Sequence, residues 1–198
     1  MNGNFSILTG TYGSGKSTAL KLFKQAGFKT LSADKLAKSA YLKDSPIFDK
    51  ITKILPKSVI SLNFEINFIK LRDIFYQDKT LAIKLEQLIH PFVKNEVLNF
   101  YNSNQNYNII YEIPLFFNKY SKSDFYIPIH KIIYIHSDLE NILKNTSLRK
   151  LNSELVTKII SKQKKPSDLD QIDFMISNNN SLESYKKAIL EIIPKFSL

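Results

Sequence analysis

The chain has no cysteine among its 198 residues, which excludes a disulfide framework, a thiolate metal site and a thiol nucleophile. Stability must then come from packing, and the lack of thiols suits a reducing compartment, so a cytoplasmic location is the expectation. No run approaches the roughly 20 apolar residues that would span a bilayer. The opening "MNGNFSILTG" lacks a basic segment followed by an apolar core. Neither a membrane segment nor export is therefore expected. No internal repeat and no low-complexity linker occurs. The formal charge of +10 excludes strong repulsion of anions but does not choose among phosphorylated small molecules, nucleic acid and acidic membranes. The lysines are scattered, the densest cluster being "SKQKK" at Ser161–Lys165. No element combines clustered arginines with aromatics at recognition spacing, so no nucleic-acid partner is expected.

Glycine is scarce, with only five residues, yet Gly10, Gly13 and Gly15 fall within six positions. The 43% hydrophobic and 12% aromatic content marks a folded globule, so this concentration has a structural purpose. The apolar run "NFSIL" (Asn4 to Leu8) precedes it, and "STALKLFKQAG" follows with Ala19, Leu20, Leu22 and Phe23 at helical spacing. Strand, loop and helix thus come in that order. "KTLS" (Lys29 to Ser32) restarts as a short strand, and further β-type runs are "YNIIYEI" (Tyr107 to Ile113), "KIIYIH" (Lys131 to His136) and "FMIS" (Phe174 to Ser177), rich in β-branched and aromatic residues. Strands alternating with helices predict a parallel sheet and a three-layer α/β fold. Between the second and third strands, residues 43–106 have helical periodicity, with one long pattern from Phe68 to Asn102. A helical insertion is expected there. Residues 137–165 are again helical, broken at "RKLNSE", where Asn152 or Ser153 would cap the second helix.

"GTYGSGKS", Gly10 to Ser17, matches G-x-x-x-x-G-K-[ST] in the strand-to-helix setting that this phosphate loop requires. Phosphate oxygens need converging N–H donors at close range, which Gly13, Ser14 and Gly15 allow, and the helix start adds unpaired donors and a favourable dipole. Lys16 brings a cation to the β- and γ-phosphates, the Ser17 hydroxyl is the expected protein ligand to Mg²⁺, and Thr18 adds a phosphate contact. ATP and Mg²⁺ are therefore the expected ligands. A kinase also needs a carboxylate near the acceptor hydroxyl. Asp34, just after the second strand, is the candidate base, a role compatible with capping its helix. Glu112, at the end of the third strand, has two readings: a magnesium contact through water, or strand termination before Pro114.

These pieces resemble, in order and approximate spacing, the dephospho-CoA kinase family. "LTGTYGSGKST", "SAD", "LEQLIHP" (Leu85 to Pro91), "EIPLFF" (Glu112 to Phe117), "SLRKLNSELVTKIISKQ" (Ser147 to Gln163) and "IDFMISNNNS" (Ile172 to Ser181) are similar to that family's phosphate loop, Asp-Ala-Asp box, His-Pro helix, Pro-Leu-Leu segment, arginine-bearing lid and late Asn strand. The resemblance implies a P-loop kinase fold with a five-stranded parallel sheet. Its core would be 1–42 and 107–198 with a lid over about 137–165, and its coenzyme-binding lobe 43–106. It implies transfer of the γ-phosphoryl of Mg·ATP to the ribose 3′-hydroxyl of dephospho-coenzyme A, a small-molecule partner. Asp34 and Arg149 would act with Lys16 in catalysis, and His90 and Pro91 would shape the junction of lobe and core. Pro114 and Leu115 would line the acceptor site, and Asn178 would sit beside the donor adenine.

The match is incomplete. Ser32 replaces the first aspartate of the box, Phe68 stands near an expected arginine with Arg72 one turn later, and Asn145 stands near the first lid arginine with Lys144 beside it. Lysine replaces the charge of arginine but not its bidentate fork. Two alternatives stay open: a P-loop kinase for a nucleoside monophosphate or sugar, and a degenerate ATP-binding protein with little turnover.

Overall fold

The structure, a computed structural model, describes residues 3–147, 153–163 and 171–196. The chain divides into two units, Met1–Ser32 with Tyr101–Leu198, and Ala33–Phe100. The first unit carries one all-parallel sheet of five strands: β1 (Phe5–Gly10), β2 (Lys29–Ser32), β3 (Ile109–Glu112), β4 (Ile132–His136) and β5 (Phe174–Ser177). Their order is β2-β3-β1-β4-β5. These are the five segments expected to be strands, β3, β4 and β5 from their β-branched and aromatic content, β1 from its apolar run and β2 as a short restart after the first helix. β1 runs two residues further than its apolar run, to Gly10, because β4 pairs with it through the register Gly10↔Ile135.

Both faces of the sheet are covered, which is why the central strands lack polar alternation. On one face Leu8, Ile110, Ile133, Ile135 and Ile176 pack against Phe23 of α1 (Lys16–Gln25) and Tyr185 and Ile189 of α9 (Leu182–Ile192). On the other, Phe5 stacks at 6.1 Å on Phe125 and meets the edge of Tyr101 at 5.7 Å. Central β1, between β3 and β4, leads directly into the loop at Gly10. In open parallel sheets ligands gather beyond the carboxyl ends of such strands, where the strand order reverses. α6 (Phe116–Lys119) follows β3, α7 (Leu139–Ser147) and α8 (Ser153–Ser161) follow β4, and Arg149 and Asn152 lie outside the described residues.

The second unit is helical, with α2 (Ala33–Ser39), α3 (Phe48–Ile54), α4 (Phe68–Gln77) and most of α5 (Lys79–Ser103). Its own core gathers Tyr41, Phe48, Ile51, Leu55, Leu71, Leu81, Leu85 and Ile89. The long pattern from Phe68 is two helices, not one. Asp78 leaves helical geometry (φ −117°, ψ 92°) and its Oδ1 accepts from Leu81 N–H at 2.9 Å, capping α5. An aspartate satisfies orphan donors at a helix start better than it continues a helix, although the apolar spacing runs on across it. Asn67 does the same for α4, accepting from Ile69 and Lys70 N–H at 3.1 Å. α5 carries Pro91 in its interior, where the missing N–H leaves one carbonyl of the preceding turn without its usual donor.

Candidate active site

The loop between β1 and α1 is built by conformations that few residues tolerate. Gly15 has φ +98° and stands at the N-terminus of α1. Its carbonyl accepts from Thr18 N–H at 3.0 Å, Ala19 N–H at 3.2 Å and the Tyr185 hydroxyl at 3.0 Å. Gly13 has φ +73°, and a Cβ there would lie 2.9 Å from Ile142 Cγ2 of α7. Glycine at 13 thus lets a helix close on the back of the loop, a reason the motif itself does not reveal. Among the described residues nothing accepts from the backbone N–H groups of Gly13, Gly15 or Ser17. The Ser14 hydroxyl is likewise buried without a partner. Orphan donors at the start of a helix suit an anion.

Lys16 is buried, 7% exposed, and its Nζ donates to Gly10 O at 3.1 Å and Thr11 O at 2.8 Å. The ammonium is thereby held at the loop's mouth instead of in solvent. Ser17 presents an exposed hydroxyl in the first turn of α1, and Thr18 is half-buried. The described residues hold no group of three or more His, Asp or Glu side chains that would cage a metal. Magnesium does not need such a cage, since it keeps waters and phosphate oxygens as most of its ligands. The loop and Ser17 therefore fit a metal–nucleotide complex.

Glu112, at the end of β3, is buried and its Oε2 accepts from the Ser32 hydroxyl at 2.7 Å. β2 and β3 place the two opposite each other in register. Ser32, which first reads as a lost carboxylate, is thus a donor that fixes a neighbouring carboxylate; a second acidic group at this spacing would instead repel it. Just beyond, Pro114 and Leu115 line a narrow cleft together with Thr9, Gly10, Phe117 and Gln163. The fold brings these two expected acceptor-site residues beside the loop. Asn178 follows β5 and donates from Nδ2 to Ser14 O at 2.9 Å, so its amide buttresses the loop itself.

Asp34 lies in the first turn of α2, exposed, two residues along the chain from Ser32. His90 is exposed near the middle of α5, next to Pro91. Both belong to the helical unit, and Arg149 lies outside the described residues.

Two residues near the loop were not among the expected site residues. Gln163, after α8, accepts from Tyr12 N–H at 2.8 Å through Oε1, and the glutamine that ends the lid segment is its only trace in the sequence. Tyr185 is 1% exposed on α9, and its apolar spacing looks like ordinary core. Burial pushes its phenol well above the usual tyrosine range, so it remains a neutral donor to Gly15 O. Tyr185→Phe should cost about 1 kcal/mol, the net worth of a typical buried hydrogen bond. In a protein of this size that lowers Tm by roughly 2–4 °C. A melt superimposable on that of the unaltered protein would show that the hydroxyl does not support the loop.

Known proteins agree with this architecture. A dephospho-CoA kinase (CoaE) family model matches residues 6–184. A dephospho-CoA kinase of Fusobacterium nucleatum is 34% identical over 92% of this chain and 93% of its own. One from the gamma-proteobacterium EBAC31A08 is 31% identical over 96% and 95%. Among solved structures, the dephospho-CoA kinase from Campylobacter jejuni superposes with a TM-score of 0.70 at 25% identity, covering 98% of this chain and 97% of that one. With the loop, the strand order and the cleft in the same frame, the chain belongs to the dephospho-CoA kinase family of P-loop kinases.

Proposed function

We propose that the protein transfers the γ-phosphoryl group of ATP to the ribose 3′-hydroxyl of dephospho-coenzyme A, giving coenzyme A and ADP. Family membership supports the reaction class. The observation that carries the proposal is the loop, with buried Lys16 held on Gly10 O and Thr11 O and uncommitted N–H donors behind it, next to a cleft lined by Pro114 and Leu115. The 3′-oxygen attacks the γ-phosphorus as the bond to the β–γ bridging oxygen breaks, and the hydroxyl proton passes to a carboxylate, here Asp34. Lys16 and the N–H donors around Gly13 and Gly15 hold the β- and γ-phosphates and disperse their charge. Ser17 would hold magnesium through its hydroxyl, and the ion would supply further neutralisation of the phosphate oxygens.

The Ser32 bond holds Glu112 at the carboxyl end of β3, where it would reach magnesium through water. Arg149 is assigned to the transferring phosphoryl group, a contribution of 10³ to 10⁵ in rate in comparable enzymes. The lid over about 137–165 excludes water, which otherwise competes as acceptor. The helical residues 43–106 take the coenzyme, with His90 among the residues that bind it, and Asn178 stands on the adenine side of the donor. This is the chemistry of a cytoplasmic enzyme, and no helix among the described residues is long and apolar enough to cross a membrane.

A coupled ADP-release assay tests the proposal, run with dephospho-coenzyme A beside nucleoside monophosphates and sugars. Dephospho-coenzyme A should stimulate ADP formation well above the ATP-only background, and the others should not. Preserved ATP binding without that stimulation would remove the assignment, and preference for another acceptor would replace it.

A further inference from the structure

We propose that Gln163 is a catalytic residue of the transfer, one whose amide nitrogen donates to the transferring phosphoryl group while its amide oxygen is anchored on the loop. The proposal rests on the kinase reading above. The anchor is the bond from Tyr12 N–H to Gln163 Oε1 at 2.8 Å, which joins positions 151 residues apart. A backbone N–H can be accepted only by the oxygen of a side-chain amide, so this contact fixes which way the amide faces. Nε2, with its two N–H donors, is then directed away from Tyr12, and nothing among the described residues accepts from it.

Position identifies what those donors meet. The Gln163 side chain lines the cleft with Thr9, Gly10, Pro114 and Leu115. That cleft begins at Gly10, whose carbonyl, with that of Thr11, holds Lys16 Nζ. The lysine of such a loop meets the β- and γ-phosphates, so the amide stands on the γ side and faces the residues expected at the acceptor. Charge spreads over the three equatorial oxygens of the phosphoryl group during transfer, and a preorganised neutral donor aimed there stabilises it without a reorganisation cost.

An amide satisfies both ends, where an ionised side chain does not. Glutamate would accept from Tyr12 N–H but set a negative charge against phosphate; arginine or lysine would have no acceptor for Tyr12. A second contact holds the same stretch of loop, where the α7 side chains of Ile142 and Thr146 crowd Gly13. α7 and the segment ending α8 thus bracket residues 12 and 13, and place the amide with little freedom.

Gln163→Glu and Gln163→Ala separate anchoring from donation, because glutamate keeps the oxygen that Tyr12 needs and lacks the donors. Steady-state kinetics would give kcat and the KM for ATP. Calorimetry would compare affinity for ADP with aluminium fluoride, which mimics the transferring phosphoryl group, against ADP alone. We expect both variants to lose roughly 10²-fold in kcat, as removal of one preorganised donor does. KM for ATP should change little, and both should bind the fluoride complex far more weakly than the unaltered protein while keeping ADP affinity. Wild-type kcat and fluoride-complex affinity in Gln163→Glu would overturn the proposal, leaving only the Tyr12 anchor. Equal loss of ADP and fluoride-complex affinity would also overturn it, since Gln163 would then merely support the loop. The fluoride comparison needs no acceptor, so it stands even if dephospho-coenzyme A proves to be the wrong substrate.

Discussion

Asp34→Asn should abolish most turnover while leaving nucleotide binding intact. Asparagine keeps the size and shape of the side chain in the first turn of α2 but cannot take a proton from an attacking hydroxyl. A positioned general base contributes about 10² to 10⁴ in rate, so kcat should fall by that factor. The loss should not come from the nucleotide. On the proposed reading its phosphates meet the loop from Gly10 to Thr18, which belongs to the other unit of the chain and keeps its own partners. The informative pair of measurements is kcat with saturating dephospho-coenzyme A and ATP affinity by calorimetry. Unchanged kcat would take Asp34 out of the mechanism, and a parallel loss of ATP affinity would make it a nucleotide ligand. Asp34→Glu adds a check, because a carboxylate moved outward by one methylene should restore part of the rate if proton transfer is its task.

Gly15→Ala should have the largest effect on the folded loop. Alanine at φ +98° meets the penalty that left-handed backbone imposes on any residue with a Cβ, of order 1–2 kcal/mol. Its methyl would lie 2.6 Å from Asn178 Nδ2 and 3.3 Å from the Tyr185 ring. Neither neighbour can withdraw freely, because Asn178 donates to Ser14 O and Tyr185 to Gly15 O. Adding the loss of one such bond, about 1 kcal/mol, gives roughly 2–3 kcal/mol, or a Tm lower by about 4–12 °C. ATP affinity should collapse in the same variant, since the N–H groups at the start of α1 no longer converge. Gly27→Ala is the matched control. Gly27 has φ +91°, but a Cβ there meets nothing within 4 Å, so it carries the backbone penalty without the collision. Its Tm should fall less and its ATP affinity should not change. Equal falls in both variants would mean that backbone strain alone, and not the crowded loop, demands glycine at 15.

Much of the fold is written in local pattern. The central strands β1, β3 and β4 lie in nearly continuous apolar runs, since a strand covered on both faces has no polar alternation to hide it. The break at Asp78 was less legible, because apolar spacing continues from α4 into α5 and only the capping bond to Leu81 N–H interrupts the chain. At the site, "GTYGSGKS" announces a phosphate loop because its chemistry is made by consecutive backbone groups. Tyr12 says nothing in that string. Its N–H is nevertheless where Gln163 attaches. Ser32 looked like a missing carboxylate until β2 and β3 came into register and set its hydroxyl on Glu112.

The sequence by itself determined the cradle for phosphate and the alternation of strands and helices, because each depends on residues adjacent in the chain, while the reaction class came from the order of motifs dispersed along it. Tertiary structure alone decided what stands behind and beside the cradle. Asn178 reaches Ser14 across 164 positions, Tyr185 reaches Gly15 across 170 and Gln163 reaches Tyr12 across 151. Those meetings follow from the order β2-β3-β1-β4-β5, which sets the loop after β5, the helix α9 and the end of α8 around the loop that follows β1. A hydrogen bond between such distant residues has no local signature, since either partner, read alone, is an ordinary glutamine, asparagine or core tyrosine.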